Sequence, residues 1–114
     1  MTILKSIYHA YCGIKYTLLH EKNFVLEMLA AAIVIIGAIV FKSSVTEWLA
    51  IVLCIGIVLS LEIVNTAIEK LCNYLSLDFH PSIKIIKDVS AGAVLLFCLV
   101  SLVIACIIFL PKIF

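Results

Sequence analysis

Three long apolar blocks, separated by short polar stretches, constrain this chain more than any other feature. The first runs from Phe24 to Phe41 and is broken only by Glu27. The second runs from Trp48 to Ile68, broken by Glu62 and Asn65, and the third, Val89 to Leu110, carries no charge. Each approaches the roughly 20 residues that a helix needs to cross a bilayer. Composition agrees: 66% of the 114 residues are hydrophobic and the mean hydropathy is +1.33, whereas soluble domains are only about half apolar. The expected fold is all-α and integral to a membrane, one domain over residues 1–114 with spans at about 24–41, 48–69 and 88–110.

The amino-terminal segment, about 2–21, reads differently. Ile3, Ile7, Tyr11, Ile14 and Leu18 form one stripe, and Lys5, His9, Cys12, Tyr16 and His20 form another. That pattern predicts an amphipathic helix lying on the membrane surface. No small-residue cleavage site follows a hydrophobic core here, so the spans themselves are expected to direct insertion. Residues 42–47 form a tight hairpin, with Trp48 and Phe41 at the level of an aromatic belt. The longer polar connection 70–88 contains His80-Pro81, and a proline disfavours helix at the residue before it, so a turn is expected at His80. Pro111-Lys112 is expected to close the third span.

Lysine distribution gives the orientation. Lys5, Lys15, Lys22, Lys70, Lys84 and Lys87 fall on one side of a three-span chain, against Lys42 and Lys112 on the other. Positive-inside bias therefore predicts that the amino terminus and the 70–88 connection are cytoplasmic. Glu21, Glu69 and Lys87-Asp88 then gather at the interface where nucleotides are available.

Within the second block, Glu62, Asn65 and Glu69 are three and four residues apart and share one helix face. An acid inside a span costs at least a few kcal/mol and usually faces a bundle interior or a water-filled cavity. Two carboxylates can hold Mg²⁺ together with substrate phosphates, and lysine neutralises a polyphosphate as a point charge. Glu62 lies two turns from Glu69, roughly 10 Å deeper at 1.5 Å per residue. Its depth suits a lipid hydroxyl, toward which it could act as general base. The shallower Glu69 suits a metal–nucleotide complex.

Other chemistries are poorly served. The chain has no arginine, a net charge of +1 and no nucleic-acid signature. No GxxxxGK motif occurs, and no HxxxH or HxxE spacing supports a zinc site. The five cysteines lack CxxC spacing, and three (Cys54, Cys98, Cys106) fall inside spans, as apolar packing residues would. From the residues alone, three readings of the acidic site stay open. It could serve a kinase, an oligomeric channel or transporter subunit with a cation path, or an assembly partner using its acids as helix glue. A pore is poorly lined by the third span, whose only mid-span polar residue is Ser101.

At Glu62-Ile-Val-Asn65-Thr66-Ala67-Ile-Glu69, His80-Pro81, Lys87-Asp88-Val-Ser-Ala-Gly-Ala-Val and His20-Glu21-Lys22-Asn23-Phe24, the chain resembles the prokaryotic diacylglycerol kinase family, which includes the undecaprenol kinases. The resemblance covers nearly the whole chain. It implies a homotrimer with active sites shared between subunits, ATP as phosphoryl donor and a membrane lipid alcohol as acceptor in the bacterial cytoplasmic membrane. Glu21 and Glu69 resemble the Mg²⁺ ligands, and Glu62 the general base. Lys87 resembles the lysine on the ATP phosphates, with Asn65 and Asp88 shaping the site. By position, Lys5 and Tyr11 fall on the helix that closes over the nucleotide, and Glu27 resembles another polar site residue.

Three departures stand out: Asn73 where many members have Asp, Thr2 near a position where some carry Arg, and Ala91 where the diacylglycerol-specific branch tends to have Ser. The Lys87-Asp88-Val-Ser-Ala-Gly-Ala and His20–Phe24 stretches are closer to the undecaprenol kinase form, which tips the implied acceptor toward a long-chain prenol.

Overall fold

The structure is a computed structural model that describes residues 2–75, 78 and 80–114. It consists of four helices: α1 (Ile3–His20), α2 (Lys22–Val40), α3 (Val45–Leu75) and α4 (Pro81–Ile113). The last three are long and apolar enough to cross a membrane. At 1.5 Å per residue α3 and α4 are roughly 46 and 50 Å long, against a hydrocarbon thickness of about 30 Å. Both therefore project beyond the apolar layer as continuous helix. Most of the 70–88 connection is consequently helical rather than loop; residues 76, 77 and 79 of it lie outside the described residues.

Local chemistry explains the helix ends. Thr2 Oγ1 accepts the Lys5 N–H (3.3 Å) and caps α1, satisfying one of the donors that a helix amino terminus leaves open. Glu21 adopts extended backbone (φ −111°, ψ 110°) and separates α1 from α2. The α2–α3 turn is built twice over. Ser43 N–H bonds Ala38 O (3.0 Å) and Lys42 N–H bonds Ile39 O (3.2 Å), a Schellman closure with Lys42 in the left-handed region at φ 53°. Ser44 and Glu47 then form a reciprocal capping box at the start of α3 (2.9 and 3.2 Å). At α4, His80 is extended (φ −136°) as its proline requires, and its Nδ1 accepts the Ser82 N–H.

Pro111 does not close the third span. α4 continues through it to Ile113, because only one N–H is lost in the final turn, and Phe114 N–H still bonds Leu110 O (3.0 Å). That extra turn carries Lys112 onto Glu47 (2.7 Å) and Ser43 (3.3 Å), tying the end of α4 to the α2–α3 turn.

α3 is the central helix: 28% of its most apolar window is buried, against 11% in each of α2 and α4. Ala38, Ile51 and Ile108 form the buried cluster where the three spans meet, with Val34, Ile104 and Phe109 packed on it. Trp48 also packs against this cluster. Around this core the spans present Ile, Leu and Val outward, as lipid-facing or subunit-facing surface would. On α1 the apolar stripe Ile3, Ile7, Tyr11, Ile14 and Leu18 is exposed and only Thr17 is buried, so the stripe is not used for packing within the chain.

Candidate active site

The apolar part of α3 buries three polar side chains on one face, Glu62, Asn65 and Thr66, at 3, 5 and 4% exposure. Spacings of three and four residues bring these groups to one side of the helix, where α2 and α4 cover them. Thr66 Oγ1 donates to Glu62 O (3.0 Å), so its hydroxyl is satisfied within the helix. The Glu27 carboxyl on α2 lies within hydrogen-bonding reach of the Glu62 carboxyl, and Cys98 on α4 stands near both. Two facing carboxyls of this kind accommodate a proton or a cationic partner between them. On the deeper side of Glu27 lies a cavity of about 260 Å³, walled by Val34, Cys54, Leu59 and Cys98 among others and overwhelmingly apolar. Glu27 Oε2 and Ser101 Oγ, both at this cavity, are buried without a hydrogen-bond partner.

Within the next two turns of α3, a chain of hydrogen bonds crosses from α4 to α3. Ser90 Oγ donates to Asn65 Oδ1 (2.7 Å), and Asn65 Nδ2 donates to Glu69 Oε1 (3.0 Å). The charges of Glu69 and Glu21 both act on Glu62, and both act on Lys70, so the three acids and this lysine share one neighbourhood. Lys70 Nζ sits 5.5 Å from the centroid of the Tyr16 ring, while Tyr16 stacks on His20 (4.2 Å between centroids). These contacts dock the end of α1 beside the acids and bring Glu21 to the site. Although Glu21 is the residue before α2, its carboxylate makes no capping bond to that helix.

The donors gathered here are carboxylate oxygens, the hard ligands that suit Mg²⁺ rather than a thiolate- or imidazole-loving metal. Asn65 engages one oxygen of Glu69 and leaves the other available, and the Glu21 carboxylate is uncommitted to its helix. Among the described residues no three His, Cys, Asp or Glu side chains are grouped as a metal cage. A pair of carboxylates completed by phosphate and water oxygens is the arrangement that fits these residues.

The remaining candidates are placed as follows. Lys87 Nζ donates to Asn73 Oδ1 (2.6 Å), one turn beyond Glu69, so Asn73 engages the lysine without a charge of its own. Asp88 pairs with Lys84 (2.6 Å) at the exposed surface rather than with the Asn65–Glu69 group. Ala91 is exposed on α4 next to Ser90. Lys5 and Tyr11 are exposed on α1, roughly 24 and 15 Å along that helix from Glu21, so a single chain does not bring them to the acids. Sequence reasoning did not assign Ser90, Tyr16 or Lys70 to this site. Ser90 stood inside a quoted motif, but its partner depends on the α3–α4 register.

The fold and this site define a multi-pass membrane protein with an acidic polar centre at one end of a helical bundle, opening onto an apolar cavity. The profile of the family described as prokaryotic diacylglycerol kinase matches residues 8–109, and the chain belongs to that family. It is 43% identical over 108 residues to an undecaprenol kinase of Bacillus subtilis (strain 168), covering 95% of this chain and 88% of that protein. A diacylglycerol kinase of Synechocystis sp. is 28% identical over 110 residues, covering 96% of this chain and 63% of that one. A diacylglycerol kinase of Helicobacter pylori (strain 26695) is 26% identical over 94 residues, covering 82% and 73%. The chain is thus related to lipid kinases over nearly its whole length.

Proposed function

We propose that this protein transfers the γ-phosphate of ATP to the hydroxyl of a membrane lipid alcohol, with undecaprenol favoured over diacylglycerol. The observation that carries this reading is the stacking of two environments on one face of α3. The buried carboxyl of Glu62 faces Glu27, which lines an apolar cavity, and the carboxylates of Glu69 and Glu21 lie above it. The 43% identity to an undecaprenol kinase favours the prenol.

In this reading Glu62 takes the proton from the lipid hydroxyl as that oxygen bonds to the γ-phosphorus. The bond from phosphorus to the β-phosphate oxygen breaks, and ADP leaves. Glu69 and Glu21 would hold Mg²⁺, which when bound neutralises charge on the phosphates. Asn65 holds Glu69 in place, and Lys87, one turn further out, releases Asn73 to meet the polyphosphate. Asp88 holds Lys84 at the rim, Glu27 lines the apolar cavity, and Ala91, exposed on α4, would border the lipid's path. Lys5 and Tyr11 would reach a neighbouring subunit's nucleotide in a homotrimer, since their own α1 carries them away from their own acids. Lysine asymmetry supports a cytoplasmic amino terminus in a bacterial inner membrane.

The test is to assay purified protein in detergent micelles with MgATP and either undecaprenol or diacylglycerol. Phosphorylated prenol formed in preference to phosphatidic acid supports the reading; no transfer to either alcohol overturns it.

A further inference from the structure

We infer that Ser90 is a positioning residue that fixes the amide of Asn65 and thereby presents Glu69 to a divalent cation. The inference rests on the kinase reading only for the identity of the cation's partner; its geometry stands alone. The hydrogen bonds permit one direction. An ionised carboxylate only accepts, so the Asn65 group facing Glu69 must be its NH₂. The amide oxygen then faces α4, where the single proton of the Ser90 hydroxyl meets it at 2.7 Å. Asn65 Nδ2 reaches Glu69 Oε1 at 3.0 Å, leaving the second carboxylate oxygen for a cation.

Asn65 is 5% exposed, so its amide oxygen relies on the Ser90 hydroxyl rather than on bulk water for its hydrogen bond. Without that proton the amide is held by Glu69 alone, and its side chain is free to rotate with the carboxylate instead of fixing it against α4. The contact couples two helices at residues 25 apart in sequence, and it is absent from the face of α3 considered alone.

The experiment measures Mn²⁺ binding to the full-length protein in detergent by electron paramagnetic resonance, with ATP present, and records the Asn65 side-chain amide by NMR. In wild-type protein one Asn65 Nδ2 proton should be slow to exchange. Ser90→Ala should lose that protection and weaken Mn²⁺ binding about tenfold, equivalent to roughly 1.4 kcal/mol. Ser90→Thr, which keeps the hydroxyl, should restore both. A thermal melt of each variant checks that the bundle is intact. Mn²⁺ binding by Ser90→Ala equal to wild type overturns the inference, as does failure of Ser90→Thr to recover it, or absence of Mn²⁺ binding to wild type. If wild type binds Mn²⁺ as described yet phosphorylates neither lipid alcohol, the kinase reading falls while the positioning role of Ser90 stands.

Discussion

Glu62 is where burial and chemistry meet most sharply. Its carboxyl is almost fully covered and has as its polar neighbour on α2 Glu27, which lines a cavity with little other polarity. Glu62→Gln preserves size and hydrogen-bonding capacity but removes the base. Turnover should fall by about 10²- to 10⁴-fold, the range that general-base catalysis supplies. Melting temperature and oligomer size should hold, because an amide is easier to bury than a charge. Radiolabelled transfer from ATP, read beside a thermal melt and size-exclusion profile, checks both halves. Full activity would remove Glu62 from the chemistry. Most of this site was legible as residue types: Glu62, Asn65 and Glu69 announce themselves as polar groups in an apolar run. What they touch was not, because Ser90, Glu27 and Cys98 lie on other helices and no spacing in the chain encodes that register.

Elements here are terminated by particular side chains, and the α2–α3 turn is the most heavily constructed. Lys42 holds a left-handed backbone conformation that costs an L-residue roughly 1–2 kcal/mol, partly offset in a glycine variant by the greater freedom of its unfolded chain. Lys42→Gly should stabilise the fold by about 0.5 kcal/mol, seen as a small rise in melting temperature. Ser44→Ala removes the cap of α3 and should cost about 1 kcal/mol in the same measurement.

The Lys112–Glu47 bridge, only about a quarter exposed on either side, joins that turn to the end of α4. Lys112→Met should lower the melting temperature by leaving Glu47 unpaired. Adding Glu47→Gln should recover part of the loss, since removing both charges is milder than stranding one. A double variant as unstable as the single one would assign the effect to lysine packing instead. The apolar blocks foretold α2, α3 and α4, but not that α3 and α4 run several turns past the hydrocarbon. Hydropathy marks where lipid ends, whereas a helix ends where its caps stand.

For the whole molecule, α3 lies at the centre of the bundle, and α2 and α4 present largely apolar outer surfaces. The lysine asymmetry predicts that an amino-terminal green fluorescent protein fusion is fluorescent. It likewise predicts that a carboxy-terminal alkaline phosphatase fusion is active, since Phe114 would lie on the outer side. The reverse pattern would put Glu21, Glu69 and Lys87 on the side lacking ATP and overturn the cytoplasmic assignment.

By itself the sequence determined the material of this protein: three spans, a surface helix, acids on one face of the second span, and a charge bias across the membrane. Those are properties of single helices, set by hydropathy and by the 3.6-residue period, and a reader of the chain can see them. The tertiary structure alone decided which of those groups meet. Packing α2 and α4 against α3 brought Glu27 to Glu62, Ser90 to Asn65 and Lys112 to Glu47, and it held Lys87 on Asn73 instead of on the acids. Side-chain register between helices depends on how their surfaces interlock, and that information appears only once the helices are side by side.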